Sequence, residues 1–332
     1  MIPVEYARPA RDFIDELRAD VEASLGQIIP HLEPALLYEP AKYVLSGGGK
    51  RLRPVLLLLT ANAFNAEVEE AMPAALAVEV FHNFTLVHDD IMDNASTRRG
   101  KPTVHEHWDP GTAILSGDYL MGLSYELLSR TGAGDISEML RVYHHMVRLL
   151  CEGQALDKAF ETRSDVTVDE YIYMIDRKTA ALLEAVFEIG GIVGGVGHEE
   201  RNRLSLLGKS VGRAFQIQDD LLDITAENAK WGKKVGGDLI EGKKTYLLLR
   251  AIERVEGPSK SFFEKIVAHN GLAEEKIPVA KQLLEENGIL EDARKAVLHH
   301  TEIAQDCMHV FGDSEAGNAI RWLIGEMQNR MH

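Results

Sequence analysis

Cysteine is scarce in this chain of 332 residues, which holds only Cys151 and Cys307. They stand far apart with no second cysteine or histidine at a zinc-like spacing, so a disulfide framework and a structural zinc site are both excluded. A reducing, cytoplasmic setting fits that usage. Long apolar runs are also missing: none reaches the ~20 residues that a membrane-crossing helix needs. The most apolar window, residues 179–197, is interrupted by Glu184 and Glu188. The opening MIPVEYARPARDFIDEL lacks the basic-then-apolar order of a secretory signal. Positive charge is in short supply, and the formal net charge of -16 repels nucleic-acid phosphate unless a basic face is segregated. No such face is visible, so nucleic acid is not an expected partner. Segments of alternating strand-like polarity are absent as well.

What remains is an ordinary globular composition, 45% hydrophobic and 27% charged, carrying helical periodicity from end to end. Apolar residues recur at three and four spacing over residues 12–29, 76–93, 112–128 and 168–193. Breaks fall at Gly47, Gly48 and Gly49, at residues 97–102, 131–134 and 226–242, and near Gly257 and Pro258. The pattern predicts one all-α domain over residues 1–332, a large bundle with long core helices.

One motif occurs twice inside these apolar helices. Asp89, Asp90 and Asp93 read DDIMD, and Asp219, Asp220 and Asp223 read DDLLD. On a helix the first and fifth residues of such a motif stack on one face, and the second lies about 100° round the axis. Carboxylates so crowded are costly near a core unless they are exposed, protonated or neutralised by cations. Hard oxygen donors in this number suit magnesium, which shares its coordination with water and substrate phosphate. Glu79, His82, Asp89 and Asp93 lie on one stripe, and Gln216 precedes Asp219 by three.

Basic groups sit beside both motifs. Ser46 to Pro54 reads SGGGKRLRP, three glycines before Lys50, Arg51 and Arg53. Backbone amides and cations meet an anion readily at such a turn, although the spacing is not that of a P-loop. Arg98, Arg99 and Lys101 follow the first motif directly, and the guanidinium fork matches diphosphate oxygens. Lys178 and Thr179 lie on another apolar helix. The stretch WGKKVGGDLIEGKK brings Lys233, Lys234, Asp238, Lys243 and Lys244 after the second motif, as a loop able to close over a phosphorylated substrate would.

Taken together, GGGKRLRP, HDDIMDNASTRRGKPTVH, Gly117-Asp118, GQALD, the Lys178-Thr179 pair, FQIQDDLLD and GKKVGGDLIEGKKT resemble the trans-isoprenyl diphosphate synthase family. The motifs occur in family order over residues 47–245. The resemblance implies an all-α bundle of isoprenoid synthase type around a deep central cavity, usually a homodimer, with three magnesium ions bridging the aspartate motifs and an allylic diphosphate. It places Asp89, Asp90, Asp93 and Asp219 at the metals, with Asp220 and Asp223 completing the second cluster. Arg98, Lys178, Gln216 and Lys233 would hold the allylic diphosphate, with Lys243 nearby. Lys50, Arg53, His82 and Arg99 would hold isopentenyl diphosphate, and Thr179 would stand beside the developing carbocation. The implied reaction ionises the allylic C–O bond, adds the isopentenyl double bond to the cation and eliminates a proton.

Phe84 and Phe81 stand five and eight residues before Asp89, about 7.5 and 12 Å along a straight helix. In the resembling family an aromatic residue five before the first motif marks short-chain enzymes. Geranylgeranyl diphosphate is therefore the expected product and farnesyl diphosphate the next, from dimethylallyl, geranyl or farnesyl primers. Three other readings compete. A terpene cyclase shares the bundle and one DDxxD but leaves the second motif unexplained. The His88-Asp89 pair suggests a metal phosphohydrolase, and a non-catalytic subunit of an unequal synthase pair is the third.

Overall fold

The computed structural model describes residues 9–29, 33–226 and 235–328. Its helices in chain order are α1 (Ala10–Leu25), α2 (Ala35–Leu45), α3 (Leu52–Ala63), α4 (Val68–Met92), α5 (Val104–His107), α6 (Pro110–Leu128), α7 (Ile136–Phe160) and α8 (Val168–Ile175). They continue as α9 (Ala181–Val193), α10 (His198–Thr225), α11 (Gly237–Ile240), α12 (Tyr246–Arg254), α13 (Gly257–Ala268), α14 (Ile277–Glu286), α15 (Ile289–Cys307) and α16 (Glu315–Gln328). The expected all-α class is what forms. Among the described residues, strand pairing is confined to a hairpin of β1 (Thr97–Arg98) and β2 (Lys101–Pro102), too short for alternation to announce it. Its two-residue loop, Arg99 and Gly100, has φ of 53° and 76°, the doubly left-handed form that matches the twist of paired strands.

The helices gather into two compact units, each discontinuous in sequence. The first comprises Met1–Tyr143, Val186–Leu204 and Val310–Trp322; the second takes the remainder. Four of the five boundaries fall inside α7, α9, α10 and α16, and the fifth lies in the 3-10 turn Met308–Phe311 that follows α15.

In the first unit α4 is the buried axis. Glu69 and Glu70 at its start are exposed, but residues 74–81 are buried without a break, so its middle has no solvent-facing side. Leu56, Leu57, Leu58 and Leu59 on α3 are equally enclosed, each worth roughly 1.5–3 kcal/mol of burial. Pro110 opens α6 at its first turn, and Asp109 caps it by accepting from the Thr112 amide at 3.0 Å.

The second unit is built on Tyr171, Ile175, Ile217, Leu221, Leu248, Phe263, Leu284 and Val297. A capping box starts α8: the Glu170 amide donates to Thr167 Oγ1 at 3.2 Å, and the Thr167 amide donates to Glu170 Oε2 at 3.0 Å. From α8 the chain passes through one π-helical turn, Asp176–Ala180, into α9. No helix among the described residues is long and apolar enough to cross a membrane.

Candidate active site

The first motif closes α4. Asp89 is half-buried and Asp93, its C-cap, is exposed. Asp90 is buried, and Arg98 donates to its Oδ1 through Nε at 2.8 Å and Nη2 at 2.7 Å. The 100° offset along the helix thus separates the roles: Asp89 and Asp93 share the outward face while Asp90 turns inward to an arginine. Asn83, Leu86, Val87 and Asp90, at helical spacing, line a pocket that opens to solvent, about a quarter-turn round the helix from Asp89 and Asp93.

Arg53 and His82 form the basic pocket beside this motif. Arg53 Nη1 lies 3.2 Å from His82 Nε2. Burial first, and then Arg53, Arg99, Arg98 and Arg51, hold the His82 pKa well below the usual histidine range, so the ring is neutral and accepts from Arg53. Burial likewise lowers Arg53, and its buried Nε has no hydrogen-bond partner. An orphaned guanidinium donor in a cluster of arginines is a site for an anion. Arg99 reaches back to the Gly48 carbonyl across Gly49, and Lys50 follows on the same turn.

Arg51, beside Lys50 in the basic run, does something else. At φ 47° it caps α3 and sends its side chain into the core, 2.6 Å from Glu79 and 2.8 Å from Glu22, with the Leu45 carbonyl at 2.7 Å. Those carboxylates raise its pKa against burial, the largest single influence, which acts to lower it. Glu79, read from sequence as part of a phosphate-facing stripe, is the buried counter-ion of Arg51. His88 is also turned aside, edge-on to Phe84 with ring centroids 4.8 Å apart and packed where Gly117 has no side chain. Phe84 meets Phe81 at 5.2 Å and Phe81 meets Tyr143 at 5.6 Å, forming an aromatic series below Asp89.

In the second unit the same division recurs with different partners. Asp219 and Asp223 are half-buried and Asp220 is buried. Tyr171 Oη donates to Asp220 Oδ2 at 2.5 Å, the Tyr246 amide to the same oxygen at 3.0 Å, and Gln216 Nε2 to Oδ1 at 3.2 Å. Burial, then the charge of Asp238, pushes Asp220 up to about 8, and the three donors oppose that rise. A cation bound at the neighbouring carboxylates would draw it down again. Asp223 Oδ2 accepts from the Asp238 amide at 3.2 Å.

Lys178 and Thr179 lie within the π turn, a feature that often marks functional positions in helices. Lys178 Nζ pairs with Asp157 of GQALD at 2.5 Å, and Thr179 Oγ1 donates to Gln216 Oε1 at 2.9 Å. Two glycines, Gly153 and Gly212, let neighbouring helices close on this turn, and Gly208 does the same at the start of α9. A Cβ on Gly153 of α7 would lie 2.8 Å from Lys178 Cα, one on Gly208 2.5 Å from the Leu183 carbonyl, and one on Gly212 2.5 Å from Ala180 Cα. Arg213 grips Asp176 at the start of the turn with contacts of 2.5 and 2.6 Å. Sequence reasoning missed Tyr171, Gly153 and the role of Asp157; the quoted GQALD motif was the one signal for the last two. Lys243 lies 2.9 Å from Glu241, and Lys233 and Lys234 lie outside the described residues.

Among the described residues no three histidine, cysteine, aspartate or glutamate side chains gather at one metal position. The outward carboxylates come as the pairs Asp89/Asp93 and Asp219/Asp223. Two hard oxygens per pair suit an ion that completes its shell with water and phosphate oxygen, as magnesium does. The sequence matches the polyprenyl synthetase family over residues 34–285. The chain belongs to the polyprenyl synthetase family. It is a prenyltransferase. A short chain isoprenyl diphosphate synthase of Methanothermobacter thermautotrophicus is 35% identical over 97% of this chain and 98% of its own length. A geranylgeranyl diphosphate synthase of Methanosarcina mazei is 38% identical over 90% of this chain and 92% of its own. The crystal structure of geranylgeranyl pyrophosphate synthetase from Pyrococcus horikoshii superposes with a TM-score of 0.90 at 36% identity, covering 96% of this chain and 99% of that one.

Proposed function

We propose that this polyprenyl synthetase condenses isopentenyl diphosphate with an allylic diphosphate, giving a short trans-prenyl diphosphate, with geranylgeranyl diphosphate favoured over farnesyl diphosphate. The observation that carries the reading is the repeated division of labour in DDxxD: the second aspartate is buried on protein donors, while the first and fifth are half-buried or exposed. The metal ligands therefore narrow from six aspartates to Asp89, Asp93, Asp219 and Asp223, while Asp90 and Asp220 position them. Magnesium bound there, three ions in the family pattern, would withdraw charge from the leaving diphosphate.

The chain's own groups do the rest. Arg98, Lys178 and Gln216 orient the allylic diphosphate, with Lys233 and Lys243. Lys50, Arg53, Arg99 and neutral His82 hold the diphosphate of isopentenyl diphosphate, and the unpartnered Arg53 Nε supports this assignment. Thr179 stands beside the allylic cation. Phe84 and Phe81 floor the path of the growing chain. The relative from Methanosarcina mazei is named for a geranylgeranyl product, which favours the longer choice. We take the enzyme to act in the cytoplasm as a homodimer of single-domain subunits, in keeping with cysteines that form no disulfide. The phosphohydrolase reading leaves the repeated aspartate motif unexplained.

Incubation with isopentenyl diphosphate, magnesium and each of dimethylallyl, geranyl and farnesyl diphosphate, followed by product chromatography, tests this function. A C20 diphosphate is expected from every primer. Consumption of allylic diphosphate without isopentenyl diphosphate, and with no chain growth in its presence, would refute it in favour of a cyclase or hydrolase. A chain that converts neither substrate would be a non-catalytic subunit.

A further inference from the structure

A directed series of hydrogen bonds runs from Tyr171 to Thr179. Tyr171 Oη and the Tyr246 amide both donate to Asp220 Oδ2, at 2.5 and 3.0 Å. Gln216 Nε2 donates to Asp220 Oδ1 at 3.2 Å, and Gln216 Oε1 accepts from Thr179 Oγ1 at 2.9 Å. The Tyr246 amide can only donate, so Asp220 Oδ2 accepts from it. In this arrangement Gln216 presents its NH₂ group to Asp220 Oδ1. The amide carbonyl then faces Thr179, whose single proton is committed to it. Lone pairs are all that the Thr179 hydroxyl has left to offer another neighbour. Were Gln216 reversed, its NH₂ would donate to Thr179 and release that proton outward. For a group beside a carbocation the two arrangements differ in the sign of the dipole presented.

We infer that Tyr171 is a positioning residue for the condensation: through Asp220 and Gln216 it fixes the Thr179 hydroxyl with its lone pairs available to the allylic cation. This deepens the proposed function and rests on its placement of Thr179. The phenol is buried, with its ring edge-on to Tyr246 at a centroid distance of 6.3 Å, and its hydroxyl is engaged with Asp220. Its effect on turnover therefore passes through the series.

A double-mutant cycle tests it. Tyr171→Phe keeps the ring and removes the donor, and should lower kcat about tenfold while leaving KM for both substrates within about twofold. Thr179→Val should lower kcat on the order of a hundredfold. Added to Thr179→Val, Tyr171→Phe should cost less than about twofold, because the hydroxyl it orients is gone. Added to Thr179→Ser, which retains the hydroxyl, it should again cost about tenfold. Equal losses in all backgrounds would overturn the inference while leaving Thr179 in place. Full turnover by Thr179→Val would overturn the placement of Thr179 and the inference with it. Thermal unfolding accompanies each variant. If Tyr171→Phe fails to fold, the cycle of Gln216→Met with Thr179→Val reads the next link, and additivity there overturns the inference equally.

Discussion

Gly153→Ala is a one-methyl change whose outcome follows from the backbone around the π turn. The added Cβ would lie 2.8 Å from Lys178 Cα and 2.9 Å from the Arg177 carbonyl carbon, and closer still to the Lys178 amide nitrogen. Ordinary carbon contacts begin near 3.4 Å, so at least about 0.6 Å must open between α7 and the turn. None of the opposing atoms is the end of a flexible side chain, and the turn is clamped by Arg213 and Asp176 on its other side. Overpacking of this kind costs about 1–3 kcal/mol of stability. The chemical effect should be larger than the stability loss suggests. A displacement approaching an ångström costs up to about a hundredfold in rate, so kcat should fall about ten- to a hundredfold, or roughly 1.4–2.7 kcal/mol of activation free energy. Steady-state kinetics and thermal unfolding read the two effects separately. Gly325→Ala on α16 is the control, because a methyl group there would meet nothing within 4 Å and helix propensity should add up to about 1 kcal/mol. A Gly153→Ala enzyme with undiminished kcat would refute the argument that the glycine sets the position of Lys178 and Thr179.

Glu79→Ala should destabilise the protein by about 3 kcal/mol in chemical denaturation, because it strips Arg51 of its buried counter-ion; a loss below about 1 kcal/mol would mean that Glu22 alone suffices. His300, held down to about 4 chiefly by burial and then by Arg213, takes up its proton more readily in the unfolded chain. Stability should therefore fall as pH drops from 6.5 through 4, and His300→Gln should flatten that slope by on the order of 1–3 kcal/mol in pH-dependent unfolding. Phe84→Ala with Phe81→Ala should lengthen the product in chromatography, and an unchanged distribution with activity retained would place the stop on another helix.

The outward pairing of Asp89 with Asp93, and of Asp219 with Asp223, was legible because it depends only on helix geometry. The fate of each middle aspartate was not. Helical spacing says that Asp220 points elsewhere, but its partner Tyr171 stands 49 residues away, and no local pattern links them. Arg51 shows the converse failure. It sits in a basic run that reads as an anion site, yet a left-handed φ turns it inward, and a single residue's φ leaves no periodic trace. The π turn was hidden for a related reason. It shifts the helix register by one residue, and α9 beyond it is apolar on nearly every side, so residues 168–193 still read as one unbroken helix.

The two motifs are alike in register but unlike in electrostatics. At the first, Arg98 cancels the charge of Asp90, and Arg53 and Arg99 add further positive charge nearby. At the second, Asp220 is satisfied by a phenol, an amide side chain and a backbone N–H, all neutral. Neutral donors stabilise a carboxylate without cancelling its field, and Asp238 contributes more negative charge to the same carboxylate. Without a cation the second motif relieves its repulsion through Asp220, which is pushed up to about 8, whereas at the first Arg98 relieves part of it. A cation held at Asp219 and Asp223, as proposed, would favour the ionised form of Asp220. The same DDxxD spacing therefore stands in two settings: one where arginine holds the middle aspartate, and one where neutral donors hold it.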